Sequence, residues 1–199
     1  MPVLDLETLM RPDTVKGVAL TFDDGMASVR NAAMPILRDH GVPAHLFLTT
    51  GSVAGDNLWP GQPENAQHHA MLDWDAVAEL HAGGVMIEGH TASHPDLRKL
   101  DDAAIVSELA RADDEIERRV GRRPRYFAYP YGYHNRRVRQ VVGAHYDGCL
   151  TTELRMVTKG VATDAIPRLD SHYLRSPMLV RHLSGQGAQL YLSLRNIIR

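Results

Sequence analysis

Two histidines four residues apart, His90 and His94, and two adjacent aspartates, Asp23 and Asp24, are the residues whose types and spacing could do chemistry. Four-residue spacing on a helical turn puts two imidazoles on one side, close enough to share a cation. A carboxylate from a separate segment would complete a three-ligand set with positions open for water and substrate. Successive side chains at a strand end diverge, so one aspartate can enter the metal shell while its neighbour faces the substrate. Zinc lowers the pKa of a bound water to about 7, and the second carboxylate can take the proton as that water attacks. Each feature also has a plainer reading. The histidines could be backbone-bonded members of a polar loop, and Asp-Asp-Gly is also a turn followed by a helix N-cap.

The elements around these residues favour convergence. Apolar runs at 17–22, 43–49, 84–88, 126–129 and 146–151 read as strands, with a short sixth at 165–168. Helical patterns fall between them. One covers 27–40, is interrupted by Pro35 and is ended by Gly41. Asp73 caps a second through Ala82. Asp101 or Asp102 caps a third, to Val120, in which Ile105, Leu109, Ile116 and Val120 keep helical spacing. Further helices are expected at 134–144 and 190–198. Strand–helix alternation predicts a parallel α/β fold in one domain, residues 1–199. The polar residues follow the strands: Asp23 and Asp24 the first, Thr49–Gly51 the second, His90 and His94 the third. Tyr129–Tyr131, Thr151–Thr152 and Arg168 with Asp170 follow the next three. In parallel folds, strand carboxyl ends open onto one shared face.

Composition excludes several classes. A net charge of -2 over 199 residues gives no basic face for nucleic acid. The one cysteine, Cys149, rules out an internal disulfide and a cysteine-rich zinc site, and its apolar neighbours suggest a small core residue. No segment approaches the ~20 apolar residues of a membrane span. The N-terminus carries acids and no signal-like apolar run, so the expected compartment is the cytoplasm. Oligomeric state is not readable.

TFDDG (Thr21–Gly25), HTASHP (His90–Pro95) and YPYG (Tyr129–Gly132), in that order, resemble the polysaccharide deacetylase family, also called NodB-homology or carbohydrate esterase family 4. FLTTG (Phe47–Gly51) and LDWDAVAEL (Leu72–Leu80) extend the resemblance over roughly Val18 to Asp170. It implies a distorted or incomplete (β/α)7 barrel and removal of N-acetyl groups from amino-sugar oligomers or polysaccharides. It further implies a divalent metal, zinc above all, with cobalt or nickel as alternatives. Carried over by motif, Asp24, His90 and His94 would hold the metal, Asp23 would be the general base, and the Tyr131 backbone N–H would face the oxyanion. FAYPYG and IPRLD resemble the branch of exopolysaccharide and poly-N-acetylglucosamine deacetylases. Family members often act outside the cytoplasm.

Two positions depart from the family pattern. Ala128 stands where an arginine often pairs with the base, and Arg168, on a later strand, is the candidate replacement. No Leu-x-His supplies the general acid. His182 is the nearest candidate, with His172 behind it. Three other readings compete: a metal- or sugar-binding homologue without turnover, an amidase or imide hydrolase on small C–N bonds, and a magnesium-dependent phosphoryl-transfer enzyme. The last is disfavoured because magnesium prefers oxygen over imidazole. Trp59 and Trp74 could stack on sugar rings, with a core role equally open to Trp74.

Overall fold

Buried parallel strands read as continuous apolar runs because helices cover one face and the barrel interior the other. The computed structural model describes residues 1–60, 62, 65–183 and 185–198. Among these, six strands form one parallel sheet in chain order: β1 (Thr21–Phe22), β2 (Ala44–Leu48), β3 (Val85–Gly89), β4 (Tyr126–Ala128), β5 (Gly148–Leu154) and β6 (Ile166–Arg168). β2 and β3 pair in register from Ala44 with Val85 to Leu48 with Gly89. Alternate side chains divide the core. Leu46, Leu48, Val85 and Ile87 pack outward against helices, whereas Phe47 lies inside with Tyr126, Ala128, Leu150 and Ile166.

The intervening helices begin and end where the sequence places caps. Besides a short helix α1 (Leu6–Leu9), they are α2 (Met34–His40), α3 (Trp74–Ala82), α4 (Asp102–Val120) and α5 (Arg136–Gly143). Asp73, Asp101 and Asn135 accept the backbone N–H three residues on, at 2.7, 2.8 and 2.9 Å. Gly41 and Gly121 end α2 and α4 in the left-handed conformation. Pro35 marks a restart: residues 29–33 form a wide π-type turn, and α2 begins after it. Two further helices, α6 (Pro177–Arg181) and α7 (Gln186–Ile198), follow β6, and Leu183 and Leu192 pack with Leu154 at the end of β5. No helix of the described residues is long and apolar enough to cross a membrane.

The N-terminal mouth of the sheet is closed by a buried polar clasp. The Leu6 N–H donates to His45 Nε2 at 3.0 Å, so His45 Nδ1 carries the proton and faces Glu88 Oε1 at 3.2 Å. Glu88 is fully buried. Its Oε2 accepts from the Arg125 and Tyr126 N–H groups at 2.8 and 3.0 Å, and Arg122 reaches Oε1 at 3.2 Å. A buried carboxylate is tolerable only with its lone pairs filled in this way.

The architecture is the expected incomplete barrel. The sheet curls until its two edge strands are bridged by a side chain: Arg168 on β6 reaches Thr21 Oγ1 on β1 at 3.3 Å. The first expected strand is shorter than its apolar run. Only Thr21–Phe22 joins the sheet, while Val18 bridges Val3. Trp74 is partly buried against the outer core, beneath the Arg119 guanidinium. In the long loop after β2, residues 61, 63 and 64 lie outside the described set.

Candidate metal centre and active site

Asp23 and Asp24 leave β1 at a sharp bend. Asp24 has φ 73° and Gly25 φ 99°, and the Thr49 N–H at the end of β2 fastens the Asp24 carbonyl at 3.2 Å. The bend turns the two carboxylates apart, as a strand end permits. Asp24 Oδ1 lies 3.2 Å from His90 Nε2 and 3.4 Å from His94 Nε2, and the two Nε2 atoms are 3.2 Å apart. Both histidines are buried.

The histidines do not lie on a helical turn. They belong to an irregular loop in which Thr91 has φ 65° and His94 φ 56°. The imidazoles converge because the backbone folds back on itself, not because of helical periodicity. Among the described residues five non-glycines have positive φ, and four of them, Asp24, Thr91, His94 and Tyr131, build this site. Such conformations cost of order 1–3 kcal/mol each and gather where function fixes geometry.

The donor chemistry fits a cation. His90 Nδ1 lies 2.7 Å from the Ala128 carbonyl, so it must donate, and Nε2 is the atom left facing Asp24. Burial opposes charge on the ring, but the hydrogen bond to Asp24 and the charges of Asp23 and Asp24 push it above the ordinary imidazole value. Burial pushes His94 below the ordinary imidazole value against the pull of Asp24, which leaves a lone pair there. The Asp24 carboxyl resists burial through hydrogen bonds with both rings and is held far below the usual carboxylate range. With Nε2 of both rings unprotonated, three lone-pair donors face one point, an arrangement that needs a positive charge between them. Zinc bonds of ~2.0–2.1 Å space tetrahedral corners by about 3.3–3.4 Å, close to the three separations found. Among the described residues, these three could together hold a metal ion.

Asp23 faces the other way. Its Oδ1 and Oδ2 receive Arg168 Nη1 and Nη2, both at 2.7 Å, and Arg168 Nε donates to the Thr151 carbonyl at 3.0 Å. Burial alone would raise the Asp23 carboxyl. The Arg168 charge and its two hydrogen bonds outweigh that and hold it below the ordinary value. The guanidinium expected at the position of Ala128 thus reaches Asp23 from β6 instead.

An open-mouthed cavity of about 210 Å³ joins these groups, lined by Asp23, Asp24, His90 and His94 with Trp59, Gln62, Tyr129, Tyr131, Gly132 and Thr152. Trp59 is not a free platform for sugar. It is buried, with its ring 4.2 Å from that of His94, and the Tyr131 ring covers His94 from another side at 4.5 Å. Tyr131 sits in a left-handed bend at φ 58° that Gly132 continues at φ 71°.

His182 is not in this cavity. It is exposed at the C-terminal end of α6, because the chain after β6 turns away to pack on the end of β5. His172 lines a separate hollow with Tyr173, Arg175 and Tyr191. The residues that sequence reasoning missed are Gln62 and, behind the histidine loop, Glu108, whereas Thr152, expected on the shared face, does line the cavity. Gln62, in the long polar loop after β2, carried no signal.

The family model for polysaccharide deacetylases matches residues 11–146. The chain belongs to the polysaccharide deacetylase family. Over 133 residues, 65% of its length, this deacetylase-family chain is 33% identical to a probable peptidoglycan-N-acetylglucosamine deacetylase of Arthroderma benhamiae, covering 27% of that protein. It is 32% identical over 114 residues, 57% of its length, to a chitin deacetylase of Colletotrichum lindemuthianum, covering 41% of it. The chain therefore spans well under half the length of these two relatives. Among solved structures, the Streptococcus pyogenes deacetylase PplD in complex with acetate shares the fold. Its TM-score is 0.71 at 23% identity, over 84% of this chain and 72% of that one.

Proposed function

We propose that this deacetylase-family chain removes N-acetyl groups from an N-acetylglucosamine-containing oligomer or polysaccharide, using a divalent metal held by Asp24, His90 and His94. The single observation that carries the reading is the pairing of two differently prepared carboxylates. Asp24 closes a triangle of donors 3.2–3.4 Å on a side, while its neighbour Asp23 is kept ionised by Arg168 on the same cavity wall. The names of the similar proteins supply the substrate class.

A divalent cation in the triangle, zinc or alternatively cobalt or nickel, would supply Lewis acidity toward an acyl carbonyl and toward water. The protein's own groups do the rest. Asp23, ionised at neutral pH, accepts the proton of the attacking water. Arg168 holds both its oxygens, so the carboxylate cannot rotate out of position. Tyr131 lines the cavity, and its backbone N–H is assigned to the developing oxyanion, since the Gly132 N–H already donates to the Tyr129 carbonyl at 2.8 Å. His94 is orientated by Trp59 and Tyr131, and the same rings form an apolar wall for the acetyl methyl. Among the described residues no third imidazole lines the cavity, so Asp23 or solvent returns the proton to the departing amine. The open mouth suits one acetamido group of a longer chain better than a small amide, which a closed pocket would engulf.

The test pairs metal content with acetate release from a chitin oligomer after zinc reconstitution. Asp23→Asn should retain the metal and lose about 10²–10⁴-fold in rate. His90→Ala should lose both. Equal metal loss in the two variants, or no acetate from the loaded wild type, would defeat the reading.

A further inference from the structure

The loop between the two histidines is held from behind by one carboxylate. Glu108 lies on the buried face of α4, between Ile105, Leu109 and Ala112, where an amphipathic helix otherwise carries apolar residues. Its Oε2 accepts from the Ala92 N–H at 3.1 Å and the Ser93 N–H at 2.8 Å. Its Oε1 faces Arg111 at 3.2 Å. Two consecutive N–H groups converging on one anionic oxygen form a backbone nest. The Ala92 peptide is clamped from its other end as well. Gly51 N donates to the Ala92 carbonyl at 2.8 Å, and a Cβ at position 51 would stand 2.5 Å from that oxygen.

This loop needs such a hold. Thr91 and His94 flank the clamped peptides in left-handed conformations that L side chains rarely adopt, and Thr91 is β-branched. Released, the two residues would relax toward ordinary backbone angles and carry the imidazoles apart. Glu108 itself touches no donor atom and does not line the cavity.

Resting on the metal-centre reading, we infer that Glu108 is a positioning residue. Its carboxylate fixes the Ala92–Ser93 backbone so that His90 and His94 present their Nε2 atoms together before the cation arrives. Metal affinity thus depends on a helix residue fourteen positions beyond the last ligand.

The experiment is titration of the metal-free protein with Co²⁺, followed by its visible d–d absorption, beside thermal melts of the same samples. Glu108→Met matches the side chain in length but has no acceptor. It should bind Co²⁺ about 10–100-fold more weakly, with an altered band shape at saturation. Glu108→Gln keeps an oxygen that can accept from both N–H groups and should stay within about threefold of wild type. Should Glu108→Met fail to fold, Glu108→Asp, one methylene too short to reach, carries the same expectation. A merely structural role would lower the melting temperature and leave Co²⁺ affinity alone. The proposal is overturned if the Met or Asp variant binds like wild type, or if Gln binds as weakly as Met. A wild-type protein that binds no Co²⁺ at all would overturn the metal centre first, and Glu108's role with it.

Discussion

Arg168 and Asp23 meet in a two-pronged ion pair, 2.7 Å at each prong, that joins the last strand of the sheet to the first. Only 16% of the arginine side chain and 32% of the aspartate side chain remain exposed. The contact therefore sets both the ionisation of the carboxylate and the closure of the barrel edge.

Replacing Arg168 with Met should raise the pKa of Asp23, because burial then acts unopposed. The acid limb of kcat/KM should move up by about one to three pH units. Arg168→Lys keeps the charge but not the planar fork, and should shift the limb less while still lowering kcat. A pH–rate profile for the three proteins checks this. An unmoved acid limb in Arg168→Met would separate Asp23 from the titration.

Gly132 has no room for a side chain. A Cβ there would overlap Thr152 Oγ1, and its φ of 71° disfavours any L residue. Gly132→Ala should destabilise the fold by about 1–3 kcal/mol and displace Tyr131 from the cavity wall. Urea unfolding and acetate release should both register the change. A variant with wild-type stability and rate would show the bend to be dispensable.

Asp113 is buried beneath β3 and accepts a hydrogen bond from Tyr146 Oη at 2.9 Å. Burial outweighs that bond and pushes its carboxyl up to about 6 from 3.8. The folded state thus binds this proton more tightly than the unfolded chain does. Its stabilising contribution is full below pH ~4 and is lost as pH rises through about 6, amounting to at most about 3 kcal/mol. Asp113→Asn keeps the acceptor and removes the titration. Its stability relative to wild type should grow between pH 4 and 7 in denaturant melts. A constant difference across that range would contradict the assignment.

His182 is exposed and does not line the cavity, so His182→Ala should leave kcat/KM within about twofold and stability within about 0.5 kcal/mol. A hundredfold fall in kcat would restore it as the general acid.

Much of this arrangement was legible in the sequence, for physical reasons that differ from residue to residue. The strands could be read because burial on both faces leaves runs such as His45–Leu48 with no polar alternation to confuse them. The helices could be read from Asp73, Asp101, Gly41 and Gly121, whose conformational preferences are local. Arg168 could be nominated because strand ends share one face. The segment after β3 is legible as a loop, but helical spacing gives the wrong reason for the meeting of His90 and His94: the loop takes its shape from positive φ at Thr91 and His94, and neither is the glycine that would announce it. Glu108 resembles every other acid on α4 until the loop packs over it. His182 matched the wanted chemistry by type alone, and the path of the chain after β6, which decides its place, rests on sparse apolar contacts among Leu154, Leu183 and Leu192.

Chain order adds one consequence to the Arg168 bridge. All three donor side chains, and the Glu108 that backs them, are synthesised well before Arg168. The residues of the cation cradle thus lie between positions 24 and 108, while the counter-charge of Asp23 comes from position 168. The candidate ion site and the counter-charge of its neighbouring carboxylate are encoded in different stretches of the sequence.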